Sequence, residues 1–285
     1  MSQHSSGAGQ RTVSELLERV IKELSATSSS GRLDAELLLA HVLDCPRSFM
    51  RSHSEETVAP AATARIHELM ARRRAGEPVA YITGRRAFWN IELEVGPGAL
   101  VPRPDSETLI AEALDHFGAS GPSRILDLGT GPGTLLLAAL DQWPRATGIG
   151  VDASAEALDY ARANAKRLGL AQRATFRRGD WATGISEKFD LVLINPPYVA
   201  DDAELGAGVA EYEPSEALFA GPEGLDEYRR LTPEIARLVA PGGIAAIEIG
   251  HDQAQAVTAL LAAERIEPRL VLDLAGQPRA LVVRG

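Results

Sequence analysis

Residues 124–133, RILDLGTGPG, constrain the fold more than any other stretch of this 285-residue chain. A short apolar run ends in three glycines over five positions, and the apolar segment TLLLAALDQ follows at once. That is the pattern of a buried strand, a tight turn and a helix. The alternation then repeats. TGIGVD (147–152) precedes a helix opened by Ser154, ATFRRGD and FDLVLI read as two further strands, and a helix over 225–239 leads into the strand IAAIEI (244–249). A helix over 251–264 and the segments RLVLDL and RALVVR close the chain. Strands alternating with helices predict the α/β class, with a largely parallel sheet covered on both faces. The last two strands are separated by only four residues, too few for a crossover helix, so they are expected to pair antiparallel.

The first third has a different texture. Val13, Leu16, Leu17, Val20, Ile21 and Leu24 recur at helical spacing behind a capping box of Thr12 and Glu15. Further helices are expected over 34–43 and 62–75, giving a helical domain over 11–85 behind a small, polar tail (1–10) expected to be disordered. FWNIELEV (88–95) and residues 99–101 flank Gly96-Pro97-Gly98, which predicts a hairpin linker over 86–103 with its turn at the glycines. The α/β domain then runs over 104–285, opening with a helix over 107–116.

The charge is lopsided. Residues 1–90 carry net +2 and the rest net −12, for −10 overall. An acidic α/β region argues against unaided binding of duplex nucleic acid, and no stable nucleic-acid complex is expected. One cysteine, Cys45, excludes an intrachain disulfide, and six scattered histidines give no metal-ligand spacing, so no metal is expected. With no apolar run of membrane length and no basic-then-apolar leader, a cytoplasmic protein free of membranes is expected. The run Arg72, Arg73, Arg74 with Arg85 and Arg86 suits either an acidic partner surface or plain solvated helix ends.

A glycine loop alone is weak evidence for a nucleotide-type ligand. Asp152, at the end of the second strand, strengthens it, because a carboxylate there can accept both ribose hydroxyls of an adenosine. The loop Gly129-Thr130-Gly131-Pro132-Gly133 departs from the dinucleotide spacing, and no Walker lysine follows. Asp127 precedes it. That carboxylate is unfavourable beside a pyrophosphate but suits the cationic amino acid end of S-adenosylmethionine. Asp180 and Trp181 fall where an adenine edge and face can be met, although core packing explains a tryptophan equally well.

Asn195-Pro196-Pro197-Tyr198 ends the fourth strand of the repeat. Two prolines stiffen the backbone, so the Asn195 side-chain oxygen and the Pro196 carbonyl can both face one planar NH₂ group. Tyr198 can stack on that group or line the methyl path. An amide or exocyclic amine is a poor nucleophile because its lone pair is delocalised. Two acceptors on its hydrogens favour the charge that builds on nitrogen as a methyl arrives, which points to N-methyl transfer.

The sequence also resembles the HemK-like peptide chain release factor N5-glutamine methyltransferases over nearly all of the chain after residue 11. The marks are DAELLLAHVL, GEPVAYITG (76–84), VPRPDSET (101–108), DLGTGPG, NPPYV, Glu211-Tyr212-Glu213-Pro214 and Glu248-Ile249-Gly250. The resemblance implies a class I S-adenosylmethionine-dependent methyltransferase, a Rossmann-like seven-stranded sheet, with an N-terminal helical domain that recognises substrate. It implies transfer to the glutamine amide in the Gly-Gly-Gln loop of class 1 release factors, by a protein expected to be monomeric. Asn195 and Pro196 then hold the glutamine amide, with Pro197, Tyr198 and Arg103 beside it; Asp127, Gly129, Thr130, Gly131, Gly133, Asp152, Asp180, Trp181 and Asn195 surround the cofactor. Arg103 can equally pair with Asp105 or Glu107 to hold the linker. Glutamine methylation of a ribosomal protein and adenine-N6 methylation of nucleic acid are the alternatives, since NPPY alone is shared more widely. Pro132 stands where the family usually has serine, which is expected to alter cofactor affinity without abolishing binding. Asp105-Ser106 stands where Glu-Thr is more usual.

Overall fold

The computed structural model describes residues 11–285; the expected disorder of 1–10 lies outside the described residues. The described residues divide into two compact units, 11–84 with 206–212, and 85–205 with 213–285.

The first unit is helical. It holds α1 (Val13–Leu24), α2 (Gly31–Leu43), the short α3 (Phe49–Ser52), α4 (Pro60–Arg74) and α5 (Val79–Thr83). The capping box forms as expected: Thr12 Oγ1 accepts the Glu15 N–H at 3.3 Å and the Glu15 carboxylate accepts the Thr12 N–H at 2.9 Å. Val13, Leu16, Val20 and Leu24 face a core with Leu38, Leu39, Ile66 and Leu69. Fully burying a side chain of this kind contributes roughly 1.5–3 kcal/mol. α2 begins three residues before the expected start. It can do so because Gly31 lies against Ser25, whose backbone N would stand 2.6 Å from any Cβ there.

The arginine run is an intramolecular affair. Arg72 pairs with Glu77, Arg73 with Asp34 at 2.8 Å, and Arg74 reaches Glu23 at 4.0 Å. In the second unit Arg85 pairs with Glu92, and Arg86 donates to the Pro102 carbonyl.

The second unit opens with β1 (Arg85–Phe88) and β2 (Ile91–Glu94), paired antiparallel with Phe88 opposite Ile91. The hairpin therefore turns at Trp89-Asn90, not at Gly96-Pro97-Gly98, and 99–101 forms no strand. Trp89 takes φ +51°, a conformation residue type alone does not announce. Its backbone N–H is caught by Glu107 and its indole N–H by Gln142, which stabilises the turn against the cost of that backbone. These contacts give Trp89 a packing role, and Phe88 is fully buried.

After α6 (Glu107–Phe117) come β3 (Arg124–Leu128), α7 (Thr134–Gln142), β4 (Thr147–Asp152), α8 (Ala155–Arg167), β5 (Ala174–Arg178) and β6 (Phe189–Ile194). The four-residue α9 (Val209–Tyr212) groups with the first unit. Then follow α10 (Asp226–Leu238), β7 (Val239–Glu248), α11 (Ala254–Ala263), β8 (Arg269–Leu272) and β9 (Pro278–Arg284). One seven-stranded sheet results, ordered β5-β4-β3-β6-β7-β9-β8, parallel except where β9 pairs with β7 and β8. β7 starts five residues earlier than expected. Val239 pairs with Phe189 and Ile244 with Leu191, so Ala240-Pro241-Gly242-Gly243 bulges out of the ladder between them.

From β3 the chain winds to one side through β4 and β5, then crosses to the other through β6 and β7. The strand order reverses between β3 and β6. Open α/β sheets bind ligands at such a point, beyond the carboxyl ends of the strands.

Candidate active site

The register decides what meets at the switch point. Leu128 lies opposite both Val151 and Ile194, so the glycine loop after β3 and Asn195 after β6 leave the sheet side by side. Gly129 turns there with φ +73°, and a Cβ on it would stand 3.1 Å from the Trp181 ring and 3.4 Å from the Asn195 carbonyl oxygen. Gly133 is needed for a second reason: a Cβ there would meet Leu137 Cδ1 at 2.7 Å. The N–H groups of Gly129 and Thr130 both donate to the Val151 carbonyl, which ties the loop to β4.

A cleft of about 230 Å³ opens over this loop, entirely within the second unit. Its wall holds Asp127, Gly129, Thr130, Gly131, Asp152, Asp180, Trp181, Asn195, Pro197 and Arg103 among the expected residues. Pro196 is buried, Tyr198 is half-buried, and neither forms part of the wall, nor does Gly133. Pro132 also lines it; its carbonyl is held at 3.0 Å by Asn164, a buried side chain whose amide also grips both backbone groups of Glu94.

The carboxylates differ in how they are held. Asp127 is fully buried; Oδ2 accepts from the Thr130 hydroxyl at 2.6 Å and the Leu136 N–H at 3.1 Å, while Oδ1 has no partner. Burial pushes its pKa up to about 7 against those two hydrogen bonds. Asp152 accepts the Gly131 and Ser154 N–H groups at 2.8 and 2.9 Å, and burial still raises its pKa. Asp180 is exposed and both its oxygens take Arg230 Nη2 at 2.6 Å. Trp181 sits at φ +47° and donates its indole N–H to Glu227 at 2.6 Å, and Glu227 also accepts from Arg230. Glu227 and Arg230 line the cleft and escaped the sequence reading because nothing in α10's spacing sets them apart from other charges on an exposed helix face.

Elsewhere in the site, Asn195 Nδ2 donates to Ser106 Oγ at 3.2 Å. Tyr198 OH approaches Glu248 Oε1 at 3.4 Å; burial, then the Glu248 charge, push the phenol up to about 12. Arg103 pairs with neither Asp105 nor Glu107. Its partner is the buried Glu213 at 2.6 Å, whose other oxygen accepts the Val101 N–H at 2.9 Å. Asp105 pairs instead with Arg279 at 3.2 Å. Glu213 lies more than a hundred residues beyond the loop it fastens, so spacing could not pair it with Arg103.

The residues fit S-adenosylmethionine. An orphaned buried carboxylate oxygen in the wall matches an ammonium, a half-buried carboxylate at the end of β4 matches hydroxyl donors, and an indole beside Gly129 matches a planar base. Among the described residues no group of His, Cys, Asp and Glu is arranged to hold a metal ion. Fold and site together define a class I S-adenosylmethionine-dependent methyltransferase.

Two solved structures share this fold at low identity: a methyltransferase from Pyrococcus furiosus (TM-score 0.52, 17% identity, 76% of this chain and 97% of that one) and the human METTL16 N-terminal domain in complex with SAH (0.50, 12%, 86% and 93%). The PrmC N-terminal domain family matches residues 15–84 and the methyltransferase domain family residues 120–267. The release factor glutamine methyltransferase of Caulobacter vibrioides is 43% identical over 88% of each chain, and that of Rhodospirillum rubrum 42% over 89% of this chain and 78% of its own. The chain belongs to the release factor glutamine methyltransferase family.

Proposed function

We propose that this protein transfers a methyl group from S-adenosylmethionine to the N5 side-chain amide of the glutamine in the Gly-Gly-Gln motif of class 1 release factors. The observation that carries the reading is Asn195: it leaves β6 beside the glycine loop and lines the cleft, with its amide nitrogen engaged by Ser106 and no hydrogen bond to its oxygen Oδ1 among the described residues.

The cofactor, when bound, supplies an electrophilic methyl on a sulfonium. Asn195 Oδ1 and the Pro196 carbonyl accept the two hydrogens of the glutamine amide and favour positive charge on its nitrogen during attack. Pro196 and Pro197 keep these acceptors from relaxing apart. Tyr198, its phenol turned toward Glu248 and kept protonated by burial, offers its ring to the substrate side. Asp127 and Asp152 hold the cofactor's amino acid and ribose ends, Gly129, Thr130, Gly131 and Gly133 shape the loop beneath it, and Asp180 with Trp181 bounds the adenine. Arg103, anchored by Glu213, borders the substrate entrance. The helical unit is the part that recognises the protein substrate, and the enzyme works as a cytoplasmic monomer without stable contact to nucleic acid or membrane. Among the described residues, no helix is long and apolar enough to cross a membrane.

The test is label placement. With methyl-labelled cofactor and a mixture of purified class 1 release factors, ribosomal proteins and DNA, the label is expected on the Gly-Gly-Gln peptide by mass analysis. Label on a ribosomal protein or on adenine instead would sink the reading.

A further inference from the structure

Asn195 Oδ1 and the Pro196 carbonyl can meet one NH₂ group together only if the segment that carries them is held at both ends. Its upstream end is held by the sheet, where Ile194 lies opposite Leu128 of β3 and Ile247 of β7. Past that point Pro196 and Pro197 bring no backbone N–H, so the segment cannot extend the ladder. Its downstream end is taken by a side chain. Gln253, the residue before α11, donates from Nε2 to the Tyr198 carbonyl at 2.9 Å and to the Gly224 carbonyl at 3.2 Å, and its Oε1 accepts the Gly250 N–H at 3.0 Å. Two partners are carbonyls and the third is an N–H, so this amide can stand only one way round. Glycines make room for it: a Cβ on Gly224 would come within 2.9 Å of Nε2, and one on Gly250 within 2.8 Å of Oε1.

We propose that Gln253 is a positioning residue for methyl transfer. It fixes the far end of the Asn-Pro-Pro-Tyr segment, and through two stiff prolines it holds the Pro196 carbonyl and Asn195 where one substrate amide meets both. The hydrogen bonds close a circuit. Gly250 lies two residues beyond β7, β7 pairs with β6, and β6 runs into Asn195, so Gln253 ties the segment back to the strand beside the one it left. Gln253 does not line the cleft and touches no reacting atom; it acts through the backbone of Tyr198. The proposal rests on the glutamine-methylation reading above.

The backbone bonds nearby do not replace this clamp. Val199 donates to the Leu218 carbonyl and accepts the Ala220 N–H, both at 2.9 Å, which fastens the chain after Tyr198 to the stretch 218–220. That stretch is joined to Val199 by an isolated bridge and belongs to no strand of the sheet. Gln253 supplies the link to ordered structure, because the same Nε2 that takes the Tyr198 carbonyl also takes Gly224, and Oε1 joins both to the end of β7. The approach is close: a Cβ on Gly224 would stand 2.3 Å from the Tyr198 carbonyl oxygen. Without the shared donor, two carbonyls lose their common partner and the segment is free to shift at its downstream end.

The experiment compares native protein with Gln253→Met and Gln253→Glu on a purified class 1 release factor. The first keeps the length of the side chain and loses all of its hydrogen bonds. The second keeps an acceptor for Gly250, and with it the start of α11, but sets an oxygen against both carbonyls. Rates are taken per cofactor-binding molecule, counted by calorimetry, so a loss of folded protein does not imitate the effect. Both variants are expected to lower kcat about tenfold, with cofactor affinity and the KM for the release factor within about threefold of native. Native kcat in Gln253→Glu overturns the proposal even if Gln253→Met is inactive or fails to fold, since the role would then be the Gly250 bond alone. A loss carried by KM or by cofactor affinity, with kcat native, overturns it as well. No label on the glutamine with native protein overturns the functional reading and the proposal with it.

Discussion

Asp34 and Asp127 are both carboxylates withdrawn from solvent, one in each compact unit, and their surroundings differ. Asp34 in α2 is completely provided for: Arg73 and Ser28 meet Oδ2 at 2.8 Å each, and Ser30 meets Oδ1 at 2.9 Å. Asp127 at the end of β3 has only neutral donors on one oxygen and none on the other. Glu248 repeats that pattern with an unpartnered Oε2. Leaving such an atom without a partner costs about 1–3 kcal/mol, more when it is charged. A fold keeps that cost where a ligand uses the atom, so buried acid is a staple in Asp34, and in Glu213 of the second unit, and a tool in Asp127.

The comparison can be broken at several points. The largest effect belongs to the tool side. Asn195→Ala is expected to cut methyl transfer by about 10²–10³-fold while calorimetry finds cofactor affinity nearly native; retained turnover would remove the amide clamp from the account. On the staple side, Asp34→Ala strands the Arg73 guanidinium, only 19% exposed, and should cost about 3 kcal/mol in urea unfolding. Transfer per folded molecule should stay native. A stable variant, or an inactive folded one, would contradict the division.

The most diagnostic effect is a dependence on pH. Folding raises the pKa of Asp127 from 3.8 to about 7, so the ligand-free protein binds this proton more tightly folded than unfolded. Stability is then expected to fall as pH climbs from about 4 to about 7 and to level off above. Asp127→Asn should remove part of that fall, the remainder residing in Glu248 and Asp152, and lower cofactor affinity about tenfold. Thermal melts at pH 5 and pH 8 read the first and calorimetry the second. A variant with the native pH dependence and native affinity would return Asp127 to the structural acids.

Much of this was legible in residue order. Periodicity in α1, α4 and the βα repeats follows from which side chains must leave water, and Thr12 with Glu15 announced its own cap. The hairpin turn is not where the sequence predicts it: Gly96-Pro97-Gly98 has the chemistry of a turn, whereas the real turn uses Trp89, whose unfavourable φ is held by Glu107 and Gln142. Local chemistry cannot report a conformation stabilised from 18 and 53 residues away.

The class of fold, the glycine loop and the Asn-Pro-Pro-Tyr segment are written in residue order, because strand and helix period, glycine's freedom and proline's stiffness are properties of neighbouring residues. Which side chains partner each other was settled by the folded chain. It gave Arg103 to Glu213 instead of Asp105 or Glu107, Asp180 to Arg230, Asn195 to Ser106 and Tyr198 to Glu248. Charges and hydrogen bonds act through space over a few ångströms, and which residues come that close is set by sheet order and strand register.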